Sequence, residues 1–445
     1  MKIVIAGAGE VGSHLAKLFS NEDQDITLLD NDSVRLGIMD SNYNLMTVEG
    51  DPTSFGALRE ANAGKCDLFI AVTPYQTNNI VACSIAKNLG ARMTVARIDT
   101  YDYMQPDNLP YVHALGVDRV IYPEQLAAQE ILQSLRRTWM RNWFELHDGR
   151  LILVGVRVNQ GSPLEGMQLR DFTYKNHHFH VSAINRFHRT IIPRGNDTME
   201  AGDVLYITTT KEHVDELIPL TGNEEYTVKR VLVVGGTKIA RRLINLADDE
   251  FRFKVIETDR SVCRKLAKKC SEVDIVNGDA RDSEFLSEIG IEDMDALVAL
   301  TDSSETNIFS CLMARDLGVK KTVADVENIQ FLAQAEKLNV GTIVNKKLLA
   351  SSYIFQLLLD QDSSTSKSLA LTDAEVAELE VRPNSKITRS AVKDLELSRD
   401  MTLAGLFRDG EGMLISGNTR MQAGDKVLVF CLAGALNKVE RLFNS

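Results

Sequence analysis

Apolar runs of four to eight residues alternate along this chain with stretches whose apolar residues recur at helical spacing. Lys2–Ala6, Asp25–Leu29, Leu68–Val72 and Met93–Ile98 are such runs, and the alternation predicts βαβαβ units around a buried parallel sheet. Further along, Ala128, Ile131, Leu132 and Leu135, and later Ala350, Tyr353, Ile354 and Leu357, stand at i, i+3, i+4 and i+7. Each set predicts a helix with one apolar face, which either packs on its own domain or serves as a crossover or dimerisation helix. After each helix the texture changes to short alternating strands and polar turns, the pattern of a small α+β module of roughly 80 residues.

The pattern occurs twice. Gly7 and Gly235, Asp51 and Asp279, Asp67 and Asp295, Thr73 and Thr301, Asn79 and Asn307, Cys83 and Cys311, and Gly90 and Gly318 all stand 228 residues apart. One offset running through strands, turns and helices is the signature of an internal duplication. A second offset of 222 relates the turn Glu200-Ala201-Gly202-Asp203 to Gln422-Ala423-Gly424-Asp425. The expected order is therefore a doubly wound α/β domain at 1–140, a small domain at 141–222, a second doubly wound domain at 228–361 and a second small domain at 366–445. Linkers are expected near Gly222–Thr227 and at the Ser/Thr/Asp-rich stretch Asp360–Ser368, where periodicity lapses.

Composition narrows the function. The chain has 445 residues, too many for one core, and its 44% hydrophobic and 25% charged residues are those of a globular protein. A formal charge of −12 repels a phosphate backbone at long range, so nucleic acid is not expected as a partner. Apolar runs such as Leu151 to Val156 fall well short of the roughly 18 residues that cross a bilayer. The N-terminus enters a strand and a glycine turn directly, so a cytoplasmic location is expected. Cys66, Cys83, Cys263, Cys270, Cys311 and Cys431 form no C-x-x-C pair and read as small buried thiols.

Gly7-Ala8-Gly9-Glu10-Val11-Gly12 follows a strand and opens a helix, the context that a dinucleotide-binding loop requires. Gly7 permits the turn, Gly9 lets the backbone approach a pyrophosphate, and Gly12 lets the helix pack on the strand. Asp30, closing the second run, is placed to accept from ribose hydroxyls and to repel a 2′-phosphate, which favours NAD(H) or an adenine nucleotide over NADP. The second copy, Gly235-Gly236-Thr237-Lys238-Ile239-Ala240, has Thr237 in place of Gly9 and Ala240 in place of Gly12, although Glu257 still supplies an acid. Arg97 in the first copy, a candidate phosphate partner or an ion-paired strand end, is replaced by Asp325 in the second. The two clefts are expected to differ.

Catalytic machinery is not evident. His177, His178 and His180 read as a solvated strand rather than a metal site, and no G-K-[ST], G-x-S-x-G or H-E-x-x-H motif occurs. The bound nucleotide is thus expected to act as a signal. The alternatives are an NAD-dependent oxidoreductase with a duplicated cofactor domain, or a sensor acting on another cytoplasmic protein.

At these residues, and in its tandem order above all, the chain resembles the RCK (KTN) domain family, in particular the peripheral subunits of bacterial Trk-type potassium uptake systems. The resemblance spans essentially the whole sequence. It implies a regulatory homo-oligomer, a tetrameric ring on the inner face of the cell membrane beneath an integral-membrane potassium channel subunit, responding to NAD(H) or ATP/ADP. It also implies a first cleft made by Gly7, Ala8, Gly9, Glu10, Val11, Gly12, Asp30, Asp51, Thr73, Asn79 and Arg97, and a second lined by Gly235, Glu257, Asp279, Thr301 and Asn307. The departures at Thr237 and Asp325 put phosphate binding in the second in question.

Overall fold

A computed structural model of the chain describes residues 1–20, 24–146, 149–186, 189–270, 272–359, 369–371, 374–432 and 435–444. The linker expected at Asp360–Ser368 lies outside them. The first doubly wound domain runs β1 (Lys2–Ala6), α1 (Glu10–Ser20), β2 (Asp25–Asp30), α2 (Ser33–Asn42), β3 (Met46–Glu49), α3 (Phe55–Glu60), β4 (Leu68–Ala71), α4 (Gln76–Leu89), β5 (Met93–Arg97), α5 (Leu109–Ala114), β6 (Arg119–Ile121) and α6 (Pro123–Arg136). The first small domain contains β7 (Asn142–Leu146), β8 (Leu151–Arg157), α7 (Leu169–Lys175), β9 (His180–Arg186), β10 (Arg189–Ile191), β11 (Val204–Thr209) and α8 (Leu217–Thr221).

The second copy repeats this order. It runs β12 (Arg230–Val234), α9 (Lys238–Ala247), β13 (Arg252–Glu257), α10 (Arg260–Lys269), β14 (Asp274–Asn277), α11 (Ser283–Glu288), β15 (Ala296–Ala299), α12 (Ser304–Asp316), β16 (Lys321–Asp325), α13 (Ile329–Lys337), β17 (Thr342–Val344) and α14 (Lys346–Leu359). The last small domain contains β18 (Leu369–Leu371), β19 (Ala374–Glu380), β20 (Met401–Arg408), β21 (Glu411–Leu414), β22 (Lys426–Leu432) and α15 (Leu436–Phe443).

Both large sheets are parallel, with orders β3-β2-β1-β4-β5-β6 and β14-β13-β12-β15-β16-β17, and both small sheets are five-stranded and antiparallel. The fold is α/β and duplicated, Rossmann-like in each large sheet. The parallel strands are near-continuous apolar runs because helices cover both faces: Ile3, Val4, Ile5 and Ala6 are all buried, as are Leu68, Phe69, Ile70 and Ala71. Local chemistry starts the helices. Asp32 caps α2 by accepting from the Val34 and Arg35 amides, and Asp259 caps α10 at the equivalent place by accepting from Ser261.

Residues 1–129 and 345–355 form one unit, and residues 130–344 and 356–445 the other. The apolar helix of the second copy is thus shared: Ala350 and Ile354 of α14 are buried within the unit of the first large sheet. The later half of α6, with Ile131, Leu132 and Leu135 buried, belongs to the second unit.

The repeated Ala-Gly-Asp turn proves to be a clasp. Asp203 takes the Arg186 guanidinium through Nε at 2.8 Å and Nη2 at 2.7 Å, and Asp425 takes Arg408 with the same two distances. Burial alone would push the Asp425 carboxyl up, but the bonds from Arg408 and the Gln422 amide outweigh it and hold the group below its ordinary value. The Asp425 contribution is present above the ordinary carboxylate range and lost as pH falls through the depressed value. Asp425→Asn is expected to cost about 3 kcal/mol, because Arg408 would lose its charged partner. Urea unfolding at neutral pH reads this loss, which should shrink toward zero in strongly acidic buffer.

Candidate functional site

Strand order reverses at β1, which has β2 on one side and β4 on the other. At such a point the chain departs in opposite directions from two neighbouring strand ends and leaves a crevice beyond their carboxyl termini. Gly7 follows β1, Asp30 ends β2, Thr73 follows β4 and Arg97 ends β5, so the sequence-predicted residues of the first cleft meet at one sheet edge. Gly7, with φ of +115°, makes the turn: its amide donates to the Leu29 carbonyl, and a Cβ there would meet the Thr73 nitrogen at 3.0 Å.

The other two loop glycines differ in kind. At Gly12 an added Cβ would lie 1.8 Å from the Gly7 carbonyl oxygen, so glycine is needed there for α1 to sit on the turn. At Gly9 an added Cβ would meet nothing within 4 Å. The fold places no demand on Gly9, and open space lies over the loop where a phosphate would approach the α1 N-terminus.

Asp30 is buried, and its carboxylate is already used by the loop. One oxygen accepts from the Ala8 amide and the other from the Asp32 amide at 2.9 Å. Each carboxylate oxygen has a second lone pair, so acceptor capacity remains for hydroxyl groups. Glu257 repeats the arrangement, accepting from Gly236 at 2.8 Å and Asp259 at 2.8 Å.

Asn79 and Asn307 do something the sequence does not reveal. Asn79 Oδ1 accepts from the Thr73 amide at 2.9 Å and the Thr73 hydroxyl at 2.6 Å, while Nδ2 donates to the carbonyls of Thr73 at 3.0 Å and Arg97 at 2.9 Å. All four hydrogen-bonding positions of the amide are spent on the chain. Asn307 does the same with Thr301 and the Asp325 carbonyl. These asparagines position the ends of two neighbouring strands rather than present a free polar group.

Arg97 is half-buried, and its Nε is buried with no hydrogen-bond partner among the described residues. An orphaned guanidinium N–H costs free energy unless something accepts from it, and a phosphate oxygen suits it. The equivalent Asp325 is buried and acidic. Asp51 is exposed, and hydrogen bonds from the Thr53 amide and hydroxyl hold its pKa low. Asp279 is held low mainly by Arg281, which donates from Nη2 at 2.7 Å.

Lys347, in the first turn of α14, was not legible as a site residue. Its Nζ lies 2.5 Å from Glu10 Oε2, within the first unit. Glu10 stands at the positive end of α1 and competes there with any anion, and its pairing with Lys347 offsets that competition.

The histidine cluster departs from its reading as a solvated strand. His177 and His178 lie in a turn, and His178 stacks on His213 with ring centroids 3.7 Å apart. His180 begins β9 and its burial pushes its pKa down to about 4, against a hydrogen bond at Ile415. The next four residues, Val181, Ser182, Ala183 and Ile184, are all buried, so the strand is a packed one rather than a solvated one. Among the described residues no group of three or more His, Cys, Asp or Glu side chains is arranged to hold a metal ion, and no helix is long and apolar enough to cross a membrane.

Comparison with known proteins agrees with this duplicated plan. The TrkA-N domain matches residues 3–123 and 231–346, and the TrkA-C domain matches residues 153–222 and 376–444. The Trk system potassium uptake protein TrkA of Azorhizobium caulinodans is 28% identical over 451 residues, spanning 100% of this chain and 98% of the relative. A Trk system potassium uptake protein TrkA homolog of Archaeoglobus fulgidus is 29% identical and covers 100% of both chains. Among solved structures, the GsuK RCK domain superposes with a TM-score of 0.61 at 16% identity, covering 99% of this chain and 94% of that one. The GsuK channel bound to NAD gives 0.61 at 15% identity, with 99% and 78% covered. At such identities the likeness is one of fold.

Proposed function

The chain belongs to the TrkA family of tandem TrkA-N and TrkA-C domains, and from this premise we propose that it is a nucleotide-responsive regulatory subunit of a Trk-type potassium uptake system. The observation that carries the reading is Gly9, a glycine without a structural reason at the switch point of a Rossmann-like sheet whose strand ends also bear an orphaned Arg97 N–H and an acid with spare acceptor capacity. NAD(H) or ATP/ADP would lie across this crevice. Asp30 would accept from its ribose hydroxyls, the loop amides from Gly9 to Gly12 would face its phosphates, and Arg97 would donate to a phosphate oxygen. The relatives are named as potassium uptake proteins, and RCK structures bound to NAD and to ADP are among the solved neighbours.

The Thr237 and Asp325 departures make the second cleft the weaker one. Ligand alters activity only through a difference in affinity between two conformations. In a tetrameric ring attached to an integral-membrane potassium channel subunit, a preference of about tenfold at each of four first clefts multiplies to about 10⁴, enough to turn a 1:99 equilibrium into 99:1. The test is rubidium uptake into vesicles holding that subunit, with the full-length protein on the cytoplasmic side. Uptake should change at least severalfold with NADH, NAD⁺, ATP or ADP. Uptake indifferent to all four nucleotides would overturn the reading.

A further inference from the structure

The second unit holds a cavity of about 500 Å³, lined by none of the residues assigned to either strand-end cleft. Five cationic side chains line it: Arg141 just before β7, Arg157 at the end of β8, Arg315 on α12, and Lys320 and Lys321 at the start of β16. Among the described residues that line it there is no carboxylate, in a chain whose formal charge is −12. Lys321 is buried, Arg141 and Arg157 are half-buried, and Arg315 and Lys320 stand exposed at the mouth.

One residue gathers the guanidinium groups. Asn339 adopts the left-handed conformation, with φ of +55°, in the turn between α13 and β17. Its side-chain oxygen accepts from Arg157 Nη1 and, at 3.5 Å, from Arg141 Nη2, while its main-chain carbonyl accepts from Arg315 Nη1. The neutral amide and carbonyl orient the three forks without neutralising them. Lys321 Nζ reaches the Thr138 carbonyl at 3.4 Å, and Lys320 Nζ lies 5.5 Å from the Tyr226 ring centroid.

With no acid among the lining residues, these groups repel one another. Burial first, then Arg141, pushes the Lys321 pKa down to about 8, and burial followed by neighbouring cations lowers Arg141 and Arg157. Glu336 acts on Arg141 in the opposite sense but is not among the lining residues. Packing alone would favour uncharged side chains at such positions. A cluster that the fold tolerates at a cost is explained by a ligand that repays it.

We propose that this cavity is a second ligand site, separate from the Rossmann clefts, for a small molecule carrying a di- or triphosphate group. Guanidinium forks match phosphate oxygens in pairs and the ammonium groups add point charge. Five cations exceed what a single phosphate needs, and about 500 Å³ falls in the ordinary range for small-molecule pockets. The cationic lining comes from the first small domain and from the second Rossmann-like domain, so an occupant would tie the two together and give the second copy a regulatory role that does not depend on its degraded glycine loop.

Tripolyphosphate, titrated into the full-length protein by calorimetry and followed by thermal unfolding, tests the proposal. It should bind the wild type and raise its Tm. Affinity should fall at least tenfold in Lys321→Met and in Arg157→Gln, and should persist in Asp30→Ala, which alters only the first cleft. Lys321→Met should also raise the Tm of the ligand-free protein, since it removes a buried, repelled charge. Arg315→Gln, at the exposed mouth, keeps the test intact if an inner variant fails to fold. ATP displacing tripolyphosphate from Asp30→Ala would identify a nucleotide as the source of the phosphates, and failure to displace it would identify inorganic polyphosphate. No binding at millimolar tripolyphosphate, binding unchanged in the cavity variants, or binding lost only in Asp30→Ala would overturn it.

Discussion

Gly12→Ala is expected to destabilise the first Rossmann-like domain by about 3 kcal/mol, the upper part of the range for overpacking a well-filled interior. The reason is geometric. The new methyl would lie 1.8 Å from the Gly7 carbonyl oxygen, a backbone atom that cannot swing aside as a side chain would. Relief requires α1 to lift from β1, which exposes part of the face formed by Val11, Leu15, Ala16 and Phe19. Alanine is tolerated in the second copy, where Ala240 is buried and its amide donates to the Thr237 cap, so the constraint belongs to the shape of the first loop. Urea unfolding with a probe in residues 1–129 would show the early loss. Wild-type stability in this variant would mean that the loop reshapes freely and that its geometry is not set by packing.

Gly9→Val should do the reverse. Apart from the adjoining residues of the loop, no atom of the described residues lies within 4 Å of the new Cβ, so stability should move by less than about 1 kcal/mol, as for surface substitutions. Nucleotide affinity at the first cleft should fall at least a hundredfold, because the isopropyl group stands where the loop backbone must approach the phosphates. Calorimetry and urea unfolding on one preparation separate the two effects. Full affinity in Gly9→Val would place the ligand elsewhere. The second copy carries a milder version of this variant at Thr237, and weaker nucleotide binding is expected there.

How much of this was legible in the sequence depended on how local the cause was. The four apolar runs gave β1, β2, β4 and β5 to within a residue or so because central parallel strands are buried on both faces. β3 was missed because it is an edge strand whose only buried residue is Val48, and β6 because it has three residues and one buried side chain. The glycine loop and Asp30 were legible because a turn, a helix start and a strand end lie close together in sequence. The duties of Asn79 were not, since they depend on where the carbonyls of Thr73 and Arg97 come to lie. The Glu10–Lys347 pair and the Arg141, Arg157 and Lys321 cluster join residues far apart in the chain, and nothing in the local pattern of either partner announces the other. The helices α6 and α14 fall between these cases. Their apolar faces could be read from periodicity, but the unit to which each residue belongs could not.

Nucleotide binding at the first cleft without turnover is tested most directly by one titration. NADH, NAD⁺, ATP and ADP are titrated into the full-length wild type and into Asp30→Ala, with NADH absorbance followed alongside. Selective binding by the wild type, at least tenfold weaker binding by Asp30→Ala, and constant NADH are expected. Steady consumption of NADH, or nucleotide binding equal in the two proteins, would contradict that expectation.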